Sequence, residues 1–305
     1  MRNNILKIIK ANYFLYRSLK FIYDLRVGLI NLLNKIFGYK YLDLGSGAGR
    51  TELRWRNFDV QDDGEIIDEN TTIDLKDNSI DYAHCSHFFE HISDKVAFNM
   101  LKEVNRVLKP GGTFRVTVPI QQFFINAYKN ADKDYLKNMI TNDNLNTWHI
   151  YGVDTESLEQ LLIGVIGGIH NKNHRVTRWG FEENLNCEIP VVTYPFQDRL
   201  EGFYCGPVTN MSDDLIRKKL SELSTNDFVT WVLHESNSSP ITKNIFPSWH
   251  KNDWSMERLE KYANIYGFSA CYKSEYRALN FKMLSKRNRE PLAKSSFSLY
   301  LNLVK

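Results

Sequence analysis

A carboxylate at position 43 stands two residues before the first of three glycines, in the run Tyr41-Leu42-Asp43-Leu44-Gly45-Ser46-Gly47-Ala48-Gly49-Arg50. An apolar strand leading into a GxGxG turn lets the backbone bend sharply and approach a ligand with no Cβ in the way. In an open α/β sheet, the carboxyl end of such a strand is where ligands bind. The spacing is not the GxGxxG of dinucleotide folds, whose pyrophosphate needs helix-terminal N–H groups. A carboxylate ahead of the glycines suits a ligand with an ammonium group instead. The second chemistry-bearing run is His87-Phe88-Phe89-Glu90-His91. It matches HxxEH, the inverted zinc-peptidase signature, but that site needs a long helix and a distant acidic third ligand. Here the run is a short segment between an expected strand and a helix capped by Ser93, and no ligand cluster in the sequence demands a metal.

Two further motifs follow the glycine turn, DLKDNSIDYAHCSHFFEHISD over 74–94 and LKEVNRVLKPGGTFRVTVP over 101–119. The three together resemble class I S-adenosylmethionine (SAM)-dependent methyltransferases of the methyltransferase type 11 kind. The match is close over 40–119 and loose over 247–305. The resemblance implies a Rossmann-like α/β fold with SAM as cofactor. It places Asp43 on the ammonium group, Gly45, Ser46, Gly47 and Gly49 in the turn, and Ser86 at the end of the strand beside the donor. Asp59 is the candidate for the ribose hydroxyls, since one carboxylate accepts from both, and Asp68 for the adenine amino group. Either also fits a solvated loop acid. His87, beside the expected methyl group, is the candidate base or acceptor contact, with His91 second. Helix-end packing is the alternative for both. Phe88 or Phe89 could stack on the adenine or belong to the core.

The elements that must position these groups can be read coarsely. Tyr41–Leu44 and Trp55–Val60 are expected as the first two strands, with so little chain between them that the usual first helix is missing or a single turn. That shortened first α-unit resembles a variant found among bacterial surface-glycan methyltransferases. It implies O-methylation of a sugar or glycan intermediate. A lipid, quinone or other small-molecule acceptor stays open, as does a non-catalytic, methyltransferase-like binding protein. Glu65–Asp68 reads as a short third strand and Ile80–Ser86 as the fourth. A helix with apolar positions Val96, Met100, Leu101, Val104 and Leu108 follows, stopping at Lys109-Pro110-Gly111-Gly112 before a strand over Thr113–Pro119. Ser255–Tyr266, Phe268–Tyr276 and Phe297–Val304 read as helix, strand and strand, the antiparallel close of the sheet.

The expected organisation is therefore an N-terminal extension (1–37), a SAM-binding core (38–119), an insertion for the acceptor (120–246) and the end of the core sheet (247–305). Four clusters in or near the insertion mix aromatic or cationic groups with His and Asn, the usual lining of a carbohydrate site. They are Trp148–Gly152, His170–Arg175, His234-Glu235 and Trp249-His250. His174 and Arg175 could also hold a phosphate.

Composition narrows the partners. Residues 1–40 carry +7 of a formal net charge of +3, which leaves the remainder at −4. A mildly acidic body argues against a nucleic-acid surface. No NPPY-type tetrapeptide follows the fourth strand, where Ser86-His87-Phe88-Phe89 stands, which weighs against nucleobase methylation. The first 37 residues are apolar between their charges and have no run long enough to span a bilayer. They read either as a basic amphipathic helix for an anionic membrane face or as a helix docked on the core. Four widely spaced cysteines with no CxxC pair fit a reducing, cytoplasmic setting.

Overall fold

The structure, a computed structural model, describes residues 13–45, 51–58, 61–62, 65–141, 148–150, 157–167, 176–178, 191–193, 200–202, 211–238, 250–276 and 297–305. A six-stranded sheet organises the core. Its strands are β1 (Tyr41–Leu44), β2 (Trp55–Phe58), β5 (Ile80–Ser86), β6 (Leu108–Pro119), β11 (Ala270–Ser274) and β12 (Ser298–Val304), in the order β11-β12-β6-β5-β1-β2. From β2 to β6 neighbouring strands run parallel, and β12 lies antiparallel to both β6 and β11. This is the Rossmann-like class I methyltransferase sheet with its expected antiparallel close. Among the described residues no helix connects β1 to β2, only a turn at Leu53–Arg54. Asp59 and Val60, expected at the end of the second strand, lie outside the described residues.

The expected third strand differs. Glu65–Ile66 (β4) pairs antiparallel with Gln61–Asp62 (β3) in a ribbon of two strands, separate from the main sheet. The physical reason is local. The partner strand ends only three residues earlier, so β4 closes a tight hairpin instead of reaching the sheet edge.

One face of the sheet is built as a packed interior. Leu42, Leu44, Ala83, Cys85, Phe114, Val116, Leu301 and Leu303 are all fully buried there. Helix α2 (Asp94–Val107) covers them with Met100, Leu101 and Val104, and α8 (Met256–Ile265) with Leu259 and Ala263. Both helices begin as the sequence says they should. Ser93 Oγ accepts from the Val96 N–H at 3.5 Å, and Ser255 Oγ accepts from the Arg258 N–H at 3.2 Å.

A second apolar cluster fills the inserted region. It is formed by α3 (Gln121–Lys129), α4 (Lys133–Thr141), α5 (Leu158–Gly167), α6 (Asp213–Glu222) and α7 (Thr225–Ser238), with Phe124, Leu136, Leu162, Ile166, Phe228 and Val232 at its centre. Short strand pairs β7–β8 (Trp148–Ile150, Val176–Arg178) and β9–β10 (Val191–Thr193, Leu200–Gly202) lie between these helices in the chain. Phe297 packs against this cluster and reaches the turn after β5: its ring centroid is 5.6 Å from that of Phe124 and 5.7 Å from that of His87.

The described part of the N-terminal extension is a helix, α1 (Tyr13–Phe37), tied to the core near its end. Buried Asn34 donates to the Glu52 carbonyl at 3.0 Å and accepts from the Arg54 N–H at 2.6 Å. The rest of its surface is not docked as one of the two readings expected: Phe21 and Ile36 are 64% and 63% exposed. Among the described residues no helix is long and apolar enough to cross a membrane.

Candidate active site

The sheet reverses its order at β1. From β1 the chain goes to β2 on one side, then crosses to β5 on the other, so the carboxyl ends of β1 and β5 flank a topological switch point. Gly45 follows β1 there with φ +70°, donating its N–H to the Phe58 carbonyl at 2.8 Å. A Cβ on Gly45 would lie 2.6 Å from Phe88 Cβ, so the turn needs glycine both for its left-handed backbone and for this close approach. Phe88 is thereby placed in the packed core beside the turn. Ser46, Gly47 and Gly49 lie outside the described residues, as do Tyr151, Gly152, the His170–Arg175 cluster and Trp249.

Asp43 is buried on the face of β1 opposite Leu42 and Leu44. Its register partner on β5 is His84, whose Nδ1 lies 2.7 Å from Asp43 Oδ1. His84 was not anticipated; its signal, a polar residue inside the apolar strand Ile80–Ser86, is weak without the pairing register. The row continues across the sheet through Arg115 and Asn302. Arg115, fully buried, donates to Ser274 Oγ at 3.1 Å, Asn302 Oδ1 at 3.3 Å and the Glu275 carbonyl at 2.6 Å, and stacks 5.0 Å over the Tyr300 ring.

At the end of β5, Ser86 leads into His87, which adopts φ +52°, a conformation that non-glycine residues seldom take outside sites that hold them there. Its N–H donates to the Thr117 carbonyl at 2.9 Å. The imidazole bridges two polar groups: Nδ1 is 2.9 Å from Glu90 Oε1 and Nε2 is 2.8 Å from Ser298 Oγ. Ser298, the first residue of β12, was also not anticipated. Nothing in the sequence brings it to a residue 211 positions earlier.

Glu90 sits in the 3-10 turn Phe89–His91, almost wholly buried. Burial alone would raise its carboxyl, but the hydrogen bond from His87 and the nearby imidazoles of His87, His91 and His250 outweigh that and bring it down to about 2. His91 Nε2 is 3.9 Å from Glu90 Oε1. His250 arrives from the other end of the chain: its Nδ1 donates to the Ile166 carbonyl at 2.7 Å and its N–H to the Gly167 carbonyl at 3.0 Å, both at the end of α5.

Asp68 is exposed in a turn, where its Oδ1 accepts from the Asn70 N–H at 2.8 Å and the Thr71 hydroxyl at 2.9 Å, which lowers its carboxyl from the ordinary range. His234 and Glu235 face each other at 3.7 Å on the exposed side of α7. Trp148–Ile150 form β7.

The residues present fit a polar ligand at the carboxyl edge. His84 Nε2, Thr117 Oγ1, Glu90 Oε2 and both amide atoms of Gln121 are buried without a hydrogen-bond partner. Buried polar atoms left unpaired cost about 1–3 kcal/mol each. These four residues stand near the ends of β5 and β6.

Residues 51–116 match the family described as "Methyltransferase domain". No curated protein matches the chain. Among solved structures, it is similar to a SAM-dependent methyltransferase of Aquifex aeolicus, with 23% identity, 30% of this chain and 64% of that chain covered, and a TM-score of 0.21. It is similar too to a SAM-dependent methyltransferase of Mesorhizobium loti, with 12% identity, coverage of 88% and 91%, and a TM-score of 0.32. The 1,6-didemethyltoxoflavin-N1-methyltransferase of Burkholderia thailandensis, solved with S-adenosylhomocysteine, gives 15% identity, coverage of 37% and 60%, and a TM-score of 0.21. The chain spans 36–64% of the length of three of the similar structures, that of Aquifex aeolicus among them. The match over residues 51–116 and the order of the six-stranded sheet mark this part of the chain as a methyltransferase domain with a Rossmann-like class I fold.

Proposed function

We propose that the protein transfers a methyl group from SAM to a hydroxyl oxygen of a sugar or glycan intermediate, of the kind used to build bacterial surface polysaccharide. The observation that carries the reading is the meeting, at one switch point, of the Asp43–Gly45 turn and a histidine held between a buried carboxylate and a hydroxyl. SAM supplies a methyl group already activated by its sulfonium. Asp43 holds the ammonium group, and the Gly45 turn lets the backbone close on it. Asp59 and Asp68 take the ribose and adenine in this reading. Since the donor is activated, alignment of the acceptor supplies most of the rate. His87 takes the acceptor's proton at Nε2, directly or through Ser298 Oγ, while Glu90 holds the ring and stabilises the imidazolium. Oxygen is favoured over nitrogen as the acceptor because a hydroxyl must lose its proton, and a carboxylate-backed imidazole is built for that step. The glycan class rests on the resemblance of the shortened first unit and on the aromatic and polar clusters of the inserted region.

The test is methyl transfer from labelled SAM to a panel of nucleotide sugars and glycan fragments, run beside lipid, quinone and small phenolic acceptors. Label in a sugar acceptor is the expected result. Label only in the other acceptors would replace the glycan reading, and donor binding without transfer to any of them would favour a binding protein.

A further inference from the structure

Two strings that the sequence shows separately, HxxEH over 87–91 and the Trp249-His250 pair, are brought together in space. Donor atoms of Glu90, His91 and His250 all lie within 4.8 Å of one another. The His91 and His250 rings have centroids 5.0 Å apart, inclined at 62°. Glu90 Oε2 is buried and has no hydrogen-bond partner, whereas Oε1 is held by His87. His250 donates Nδ1–H to the Ile166 carbonyl, which leaves Nε2 as the lone-pair nitrogen of the neutral ring. Metal sites share this pattern: a ligating imidazole fixed by a backbone carbonyl, and a ligating carboxylate fixed by a further hydrogen bond.

We propose that Glu90, His91 and His250 bind a divalent transition-metal ion. Two imidazoles and one carboxylate suit zinc and its neighbours, and three protein ligands leave a position open to water or an oxygen ligand. The site lies where α5 of the inserted region meets the turn after β5, so an ion there would pin the two together. Metal binding is independent of the methyltransferase reading and is tested without it. The full-length protein, stripped with chelator, is titrated with zinc chloride by calorimetry, beside His250→Ala, Glu90→Gln and the surface control His234→Ala. One zinc per chain is expected, with affinity reduced at least about 100-fold in His250→Ala, as large as the loss of a supporting partner causes in known sites. His234→Ala should bind as the parent does. Parent protein that takes up no zinc, or His250→Ala with parental affinity and unchanged circular dichroism, would overturn the site. Should Glu90→Gln fail to fold, His250→Ala decides alone.

The apolar side of α1 carries an independent inference. Phe21, Leu25, Leu29, Leu32 and Ile36 recur at helical spacing and are all more than half exposed, on a helix about 37 Å long. Contiguous exposed apolar surface of this extent marks an interaction site. Arg17, Lys20, Arg26 and Lys35 accompany it against Asp24 alone, within a 40-residue segment of charge +7. A second copy would oppose +7 with +7, whereas an anionic bilayer offers an apolar layer under negative headgroups. We infer that α1 docks in the plane of an anionic membrane surface. Co-sedimentation of the full chain with phosphatidylglycerol-containing vesicles, with phosphatidylcholine vesicles as control, tests this. Salt-sensitive binding to the anionic vesicles only, lost in Leu25→Asp/Leu29→Asp, is expected. Absence of binding to anionic vesicles, or a stable dimer that the same pair of substitutions dissolves, would overturn it.

Discussion

The two faces of the central sheet are made from the same strands and do opposite work. Leu42, Ala83, Phe114 and Leu303 form one row in register, and Leu44, Cys85, Val116 and Leu301 another, all turned to α2 and α8. Between those rows, on the other face, run Asn57, Asp43, His84, Arg115 and Asn302. Strand periodicity alone produces the alternation. A sheet that needed only to fold would fill the second row with apolar residues as well. Desolvating a carboxylate, an imidazole and a guanidinium is costly unless each is hydrogen-bonded, and here they are joined to their neighbours across the sheet. The apolar face therefore carries stability, and the polar face with the turns at its carboxyl edge carries binding.

That division can be broken by substitution. The largest effect on stability is expected on the apolar face: Phe114→Ala should cost about 3–5 kcal/mol in denaturant unfolding while leaving the SAM affinity of the folded fraction unchanged. Weakened affinity in the folded fraction would show that the faces are not separable. His87→Ala should leave donor binding intact and lower kcat about 10²–10⁴-fold, as removal of a general base does. Turnover at the parental rate would reduce His87 to a packing role. On the polar face, Arg115→Met should cost about 1–3 kcal/mol, because Asn302 and the Glu275 carbonyl lose their donor. A gain in stability instead would mean that the row is held at a net cost for function.

An effect that depends on pH concerns Asp253, next to the junction that holds His250. Burial raises its carboxyl to about 6, opposed by Arg258 and reinforced by the charge of Glu90. A carboxyl whose folded pKa lies above its unfolded value adds stability at low pH and loses it as pH rises through the folded pKa. Asp253→Asn, measured with chelator present, should therefore lie close to the parent near pH 4 and gain about 2–3 kcal/mol on it by pH 7. Equal stability at both pH values would place the side chain in water.

Much of this architecture is legible in the sequence because it is local. The strand before the glycines, the Ser93 cap and the stop of α2 just before Lys109-Pro110 are each written in a few adjacent residues. What is not legible depends on register or on distance along the chain. Asp43 finds His84 only because β1 and β5 pair in a given register. Ser298 reaches His87, and His250 reaches Glu90, through the path of the whole chain. The third strand misled because Glu65-Ile66 has a hairpin partner closer than the sheet. For α1, amphipathic spacing fixes the helix, but a helix docked on the core and one presented to a membrane have the same pattern.

The central claim is that the Asp43–Gly45 turn is a SAM site despite the shortened first unit. Calorimetric titration of the protein and of Asp43→Ala with SAM, and separately with S-adenosylhomocysteine, tests it most directly. The account expects micromolar, one-to-one binding of both ligands by the parent, and no SAM binding by Asp43→Ala. Absence of binding to the parent, or unchanged affinity in the variant, would contradict it.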